Sequence, residues 1–387
     1  MSRLDDLITE LCPDGVEYVE LEQVANIKAG QNVSKNFIQR NPGKYPVINS
    51  GVEPLGYVNT YNTEHNEIGI TSRGAGVGFV SWTEGKFFRG NLNYGLDILE
   101  GVTLDKRFLY HVLLASKYHI ESLCVFSGIP ALNASNLKKL RIPLPPLPIQ
   151  EEMVRILDHF TELTAELTAE LTAELTAHQK QYEYYRDELL TFRDEVEWKT
   201  LGEVCFYPSD RTEARNIDET NYIGVDNLLQ DKRGITLSNY APTEGTLIEY
   251  LERDVLIGNI RPYLRKIWFA TNSGGTNGDV LVLRIKQENT NVLTPRFLYH
   301  LLASEAFFHY NIRHSRGAKM PRGDKQAIMK YRIPLPPLSE QQRIVDILDR
   351  FDTLVNDLTS GLPAEIEARR KQYEYYRDKL LTFKELP

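Results

Sequence analysis

The chain has 387 residues, of which 42% are hydrophobic and 25% charged, and its formal net charge is −8. That length suits two or three domains with cores of their own, while the negative balance argues against coating DNA with the whole surface and leaves only local basic patches for the task. No apolar run approaches the roughly 20 residues that span a bilayer, and the opening MSRLDDLITELCPDG lacks the basic-flanked apolar core of a signal peptide, so a cytoplasmic location is expected with no membrane partner. Cys12, Cys124 and Cys205 are too far apart for metal-ligand spacing and read as small buried thiols.

In chain order, LDDLIT (4–9) resembles a helix tail, and a first globular block follows over roughly 15–147. In it YPVINSG, EIGITSRGAGVGFVSW and LNYGLDILEG have the β-branched and aromatic content of strands, punctuated by glycine. KRFLYHVLLASKYHIESL then reads as one helix. Around the glycine-rich turn stand Arg73, Lys86, Arg89, Asn91 and Asn93, a candidate DNA-contacting set.

RIPLPPL (141–147) cannot be helical, because its prolines remove donors and force extended neighbours. A helix is expected from near Pro148, with Gln150 and Glu151 in its first turn. Met153, Ile156, Leu157, Phe160, Leu163, Leu167, Leu171 and Leu175 recur at helical period. Over 150–192 this helix would be about 65 Å long at roughly 1.5 Å per residue. It contains a TAEL repeat (164–175). Each four-residue unit adds about 6 Å and about 40° of rotation, close to the 34–36° turn of one base pair. The rise of about 6 Å matches the roughly 3.4 Å step of a base pair only if the helix is inclined to the DNA or its ends compensate, so the residues alone leave the tract as either a plain helical spacer or a ruler.

The second globular block, 195–338, places NYIGVDNL, DVLIGNIRPYLRKIWFA and GDVLVLRI as strands and PRFLYHLLASEAFFHYNI as a helix. Asn259, Arg261, Arg265 and Lys266 form one basic cluster. Arg313, Arg316, Lys319, Arg322 and Lys325 recur every third residue, with glycine and proline interleaved. Arginine and asparagine suit base edges and phosphates because they offer paired donors or a donor beside an acceptor. A second RIPLPPL (332–338) leads into Ile344, Ile347, Leu348, Phe351, Leu354, Leu358 and Leu362 at helical period. Ser360-Gly361-Leu362-Pro363 predicts a stop and a restart.

The chain repeats itself. RIPLPPL and KQYEYYRD recur letter for letter at an offset of 191 residues, FLYHVLLAS (108–116) matches FLYHLLAS (297–304), and DGVEYVELEQV (14–24) matches DEVEWKTLGEV (194–204). Repeats of this kind govern the fold. The alignment pairs Ile70 with Ile257 and Asp97 with Asp279 or a close neighbour. Between the matched pieces the two blocks differ, as two readout surfaces on one framework would.

The expected fold class is α/β (α+β): two globular domains separated by two long antiparallel helices in a coiled coil, with pseudo-twofold internal symmetry. The division is 1–147 as a first recognition domain with a short N-terminal helix tail, 148–194 as a first spacer helix, 195–338 as a second recognition domain and 339–387 as a second spacer helix. Leu163, Leu167, Leu171, Leu175, Tyr182, Tyr185, Ile347, Leu348, Phe351, Leu354, Tyr373 and Tyr376 are the candidate spacer and partner interface. No phosphate-binding GxxxxGK[ST], HExxH, paired CxxC, GxSxG or NPPY-type tetrapeptide occurs. A non-catalytic chain is expected, without catalytic residues, bound metal or cofactor.

These features carry a resemblance. The two RIPLPPL-to-LLTF blocks, the TAEL run, SEQQRIVDILDRFDTL (339–354) and the two dissimilar globular blocks make the chain similar to specificity subunits of type I restriction–modification systems. The resemblance implies recognition of an asymmetric bipartite site in double-stranded DNA, one half per domain. It also implies two modification subunits, which carry S-adenosylmethionine and methylate adenine, and restriction subunits, which use ATP and Mg. Two rivals stand beside this reading. A fused methyltransferase–nuclease would bind S-adenosylmethionine as an isolated chain; a scaffold without readout would add no sequence-specific DNA affinity to a complex.

Overall fold

The computed structural model describes residues 3–192, 196–356 and 361–386. The chain divides into two compact units, Met1–Leu167 with Arg369–Pro387, and Thr168–Ala368.

Each unit is built on a four-stranded antiparallel sheet. In the first unit the strand order is Ala25–Ala29, Asn93–Ile98, Glu67–Thr71, Val80–Thr83. In the second it is Cys205–Phe206, Val280–Ile285, Val255–Gly258, Ile267–Phe269. The order and directions agree, as the internal repeat predicts. Register makes the correspondence residue by residue. Ile70 lies opposite Tyr94 and Ile257 opposite Leu281, so Ile70 and Ile257 are equivalent as expected. The same register sets Asp97 against Arg284, not Asp279. The pairing of Asp97 with Asp279 is thus corrected: Asp97 follows Ile70, and Arg284 follows Ile257, by the same 27 residues, so a shared aspartate is not a shared ladder position.

The second sheets diverge. The first unit has Tyr57–Val58, Pro42–Ile48 and Phe88–Arg89, the last two parallel. The second has Arg211–Glu213, Thr246–Tyr250, Gly274–Thr276 and Tyr222–Ile223, again with one parallel pair. RIPLPP is non-helical in both copies, and the leucine that follows, Leu147 or Leu338, opens the helix. Arg141–Pro143 pairs with Tyr18–Glu20, and Arg332–Leu335 with Glu197–Thr200, a two-stranded ribbon whose open edges accommodate proline.

Each of the two predicted domain helices is in fact two. Lys106–Ala115 and Lys117–Ser122 meet at Ser116, and Pro295–Leu302 and Glu305–Arg313 are separated at Ala303 and Ser304. The Ser304 hydroxyl accepts from Phe307 N at 3.3 Å, which starts a new helix rather than continuing the old one. The long helix runs Leu147–Leu189, 43 residues, about 65 Å at 1.5 Å per residue. The second spacer is not one long helix. It is two helices, Leu338–Asn356 and Leu362–Leu380, of 19 residues each, with Pro363 in the first turn of the restart as its fixed φ favours. Ser360, at the predicted break, lies outside the described residues.

The first turns of the spacers belong to the domain cores. Met153 and Leu157 are buried with Ile68, Ile70, Leu96, Phe108 and Ile142; Ile344 and Leu348 are buried with Val255, Ile257, Phe297 and Ile333. Each such fully buried side chain contributes about 2 kcal/mol. The first unit is closed by its last residues. Val16 N donates to Lys384 O at 2.9 Å and Leu386 N to Val16 O at 3.0 Å. Gly15 permits this approach: its φ is +126°, and a Cβ there would stand 2.5 Å from Lys384 O.

Candidate nucleic-acid interface

Both units project the same hairpin. Val125 and Ala131 exchange backbone hydrogen bonds of 2.8 and 3.0 Å, and Arg316 and Arg322 exchange two of 2.8 Å. Each hairpin is tied to the end of the equivalent central strand. Ala131 bridges Arg73 and Arg322 bridges Ile260; Gly74 N donates to Pro130 O at 2.9 Å, and Arg261 N to Pro321 O at 2.7 Å. The backbone is shared and the contents are not. The first hairpin, VFSGIPA, exposes Phe126 and Ile129 by 63% and 71%. The second, RGAKMPR, exposes Arg316, Lys319 and Arg322.

The every-third-residue basic pattern is therefore no helical stripe. Arg313 ends a helix, Arg316 to Arg322 form the hairpin, and Lys325 begins the helix Lys325–Met329. Arg316 pairs with Asp324 at 2.6 Å and Arg322 with Asp279 at 3.3 Å, which holds both guanidinium groups in place at an exposed surface.

The structure sorts the remaining candidates into surface and framework. Arg73, Lys86, Asn91, Arg261 and Arg313 are exposed. Lys86 Nζ donates to the Tyr61 hydroxyl at 2.9 Å and lies over its ring. Arg89 and Asn93 are buried. Arg89 Nη1 donates to Asn93 Oδ1 at 2.6 Å and to the carbonyls of Ile68 and Tyr94 at 3.1 and 3.0 Å, so it stitches the two sheets. Asn259 is buried beneath Gly323. Lys266 is buried with Nζ donating to Val225 O at 2.6 Å, and burial lowers its pKa. Arg265 is half-buried on Glu305 at 3.0 Å. Arg89, Asn93, Lys266 and Arg265 are engaged by their own domain and Asn259 is buried in it, which residue type alone does not reveal.

Arg261 and Arg265 flank a turn in which both have positive φ, 54° and 50°. Non-glycine residues held there are strained and cluster at functional sites. Beside this turn a cleft of about 570 Å³ is lined by Tyr222, Asn227, Asn239, Arg261, Asn277 and Asp279 among others. It offers donors, acceptors and aromatic faces, the chemistry that base edges and sugars require.

A duplicated clamp joins each domain to its spacer. Gln150 Nε2 donates to Pro145 O and Thr103 O at 2.7 and 3.1 Å, and its Oε1 accepts from Asp105 N at 2.8 Å. Gln341 repeats this with Val292 O, Pro336 O and Thr294 N at 2.7, 2.9 and 2.9 Å. Asp158 Oδ1 takes Arg107 and His111 at 2.8 Å each; Asp349 Oδ1 takes Arg296 at 2.7 Å and His300 at 2.6 Å. Burial lowers the pKa of both histidines, so each is a neutral donor to its aspartate. Composition and motif searches missed these groups, although RFLYH and ILD[HR]F each occur twice.

The predicted spacer residues divide likewise. In the second unit Tyr182 and Tyr185 stack on Phe351 at centroid distances of 6.0 and 5.6 Å. Leu171 and Leu348 are buried, and Leu175, Ile347 and Leu354 are half-buried. In the first unit the Tyr373 hydroxyl lies 2.8 Å from Thr161 Oγ1, while Leu163, Leu167 and Tyr376 are exposed. Among the described residues no group of side chains could hold a metal ion, and no helix is long and apolar enough to cross a membrane. Cys12 and Cys205 are buried thiols, and burial pushes Cys205 up to about 12.

A duplicated framework with unlike exposed hairpins, braced on long helices, defines a recognition protein. The comparisons give its family: the profile of the type I restriction modification DNA specificity domain matches residues 13–177 and again 194–368. The chain belongs to that family, as a non-catalytic specificity subunit that recognises DNA sequence. It is 40% identical over 268 residues to the EcoR124I/EcoR124II specificity subunit of Escherichia coli, a match covering 64% of this chain and 63% of that one. A Haemophilus influenzae chain assigned as a type I restriction enzyme specificity subunit is 34% identical over 389 residues, covering 95% and 96%. Among solved structures, a chain from work on assembly and conformational transition of the type I restriction–modification system superposes with a TM-score of 0.59 at 16% identity, covering 96% and 98%; it shows the fold.

Proposed function

We propose that the chain reads an asymmetric bipartite site in double-stranded DNA, one half-site through each recognition domain, 1–147 and 195–338. The observation that carries this reading is the pair of hairpins, 125–131 and 316–322, held by the same hydrogen bonds, of which the first exposes Phe126 and Ile129 and the second Arg316, Lys319 and Arg322 beside Met320. Arg73, Lys86 and Asn91 serve the first face, and Arg261, Arg313, Arg316, Lys319 and Arg322 the second. In this reading the spacers, 148–194 and 339–387, set the separation of the half-sites and seat two modification subunits, which restriction subunits join. S-adenosylmethionine and ATP with Mg then belong to those partners, not to this chain.

The experiment is adenine methylation mapped across a genome in cells given this chain with its cognate modification subunit, against the subunit alone. A methylated motif of two short half-sites around a fixed gap, present only with both proteins, is expected. Deleting one TAEL unit, residues 168–171, should shorten that gap by about one base pair, since the unit's rotation is about 40° against 34–36° per base pair. Methylation indifferent to this chain would sink the reading. An unaltered gap after the deletion would remove the ruler alone.

A further inference from the structure

The motif KQYEYYRD occurs twice, and its arginine meets two fates. Arg377, in the first unit, donates from Nε and Nη2 to Asp378 Oδ1 at 2.8 and 2.6 Å. Arg186, its twin in the second unit, is 1% exposed, and there the same two nitrogens meet no acceptor. Its guanidinium lies over the Tyr182 ring at 5.0 Å, and Asp187, the counterpart of Asp378, is exposed.

Arg186 lines a cavity of about 350 Å³ together with Gln179, Tyr182, Lys232, Arg233 and Arg265. Two carboxylates, Glu183 and Asp231, also line it. A third, Glu305, is engaged by Lys232 and Arg265 at 3.0 Å each. The wall is shaped by strain: Asp231, Lys232 and Arg265 hold φ of 54°, 64° and 50°. The Asp231 and Lys232 amides donate to Leu264 O and Arg265 O at 3.0 Å each. Burial and then the charge of Arg186 lower the Lys232 pKa, which fits a surplus of positive charge. A desolvated guanidinium with two free donors is costly to leave unpaired, and its planar fork fits a carboxylate.

We infer that the cavity at Arg186 receives an aspartate or glutamate side chain from a modification subunit docked on the long helix, in the role that Asp378 plays for Arg377. This rests on the proposed docking of modification subunits. The twin site argues for a carboxylate. The burial of Arg186, 1% exposed, argues against a DNA phosphate, because a short side chain reaches a buried guanidinium that a rigid duplex backbone does not.

The test uses the full chain co-purified with its cognate modification subunit, with dissociation followed by sedimentation at several salt concentrations. Arg186→Ala should weaken assembly about 30-fold or more, the cost of truncating one partner of a buried charge pair. Arg377→Ala, whose carboxylate comes from its own helix, should leave assembly near wild type. If Arg186→Ala melts too early to be measured, Arg186→Lys keeps the charge without the fork and should show the same direction of loss. Assembly unchanged in a folded Arg186 variant overturns the inference. So does unchanged assembly with the salt slope of DNA binding lowered by about one, which would assign the cavity to a phosphate. Failure of the wild-type chain to assemble at all would instead overturn the proposed docking on which the inference stands.

Discussion

The hairpins 125–131 and 316–322 are a comparison that the molecule makes with itself. Both hang from the end of the equivalent central strand of a four-stranded sheet by corresponding hydrogen bonds, yet one exposes phenylalanine and isoleucine and the other arginine, lysine and methionine. Backbone pairing depends little on side-chain identity, whereas recognition depends on little else. A framework that spends its hydrogen bonds on the backbone leaves the exposed side chains free to change. The contrast extends inward: the clamps at Asp158 and Asp349 are nearly superposable in chemistry, and the second sheets are not.

The largest effect is expected from erasing the contrast. Replacing residues 125–131 with the sequence of 316–322 should lower affinity for the original DNA site about 100-fold or more, on the order of one or two mismatched base pairs, while the second half-site persists in the methylated motif. An intact first half-site would show that the hairpin does not read DNA. Next come the clamps. Asp349→Ala strands the buried His300 and leaves Arg296 only its ion pair with Asp352 at 3.6 Å, and should cost about 2–3 kcal/mol; Asp158→Ala should cost a similar amount in the first unit. Chemical denaturation with domain-specific probes measures both. Unequal costs would mean that the two copies, alike in geometry, carry different loads.

Smaller is the effect of neutralising Arg313, Arg316 and Lys319 together. Each phosphate contact adds about 0.9 to the salt slope of duplex binding, so the slope should fall by up to about three, and sequence preference should change little if the contacts are to phosphates. An unaltered slope places that surface away from the backbone. The smallest is a pH effect shared by the two clamps. Burial lowers the folded-state pKa of His111 and His300 from the ordinary 6.5, so the unfolded chain takes up protons first. Stability should fall as pH drops below about 6.5 and level off once the folded-state values are passed. Replacing both histidines with glutamine should flatten melting temperature against pH in that window; an undiminished slope would locate the titration elsewhere.

Much of this architecture is legible in the sequence because it is carried by local rules applied twice. Proline keeps RIPLPP non-helical, leucine spacing marks the long helix, and Gly361 with Pro363 marks the restart. Other features depend on partners distant in sequence. Nothing in the neighbourhood of Arg89 announces that the carbonyls of Ile68 and Tyr94 wait for it, so a buried brace reads like a DNA contact. Lys266 misleads in the same way, with its amine on Val225 O. Asp97 and Asp279 share a residue type but not a ladder position, because residue type alone does not set strand register. The aspartate clamps were within reach: an arginine and a histidine four residues apart in RFLYH, twice, with an aspartate in ILD[HR]F, twice.

The pairing of Val16 with the stretch 384–386 has a practical side. Two labels, one near Asp14 and one near Leu386, sit on the same edge of the first unit although almost the whole chain lies between them. A donor and acceptor dye placed there form a proximity gauge that reports only whether that unit is closed. Loss of transfer on heating, compared with the fluorescence of the buried Trp268 of the second unit in a chain whose Trp82 and Trp198 are replaced by phenylalanine, would time the opening of the two units separately in one molecule.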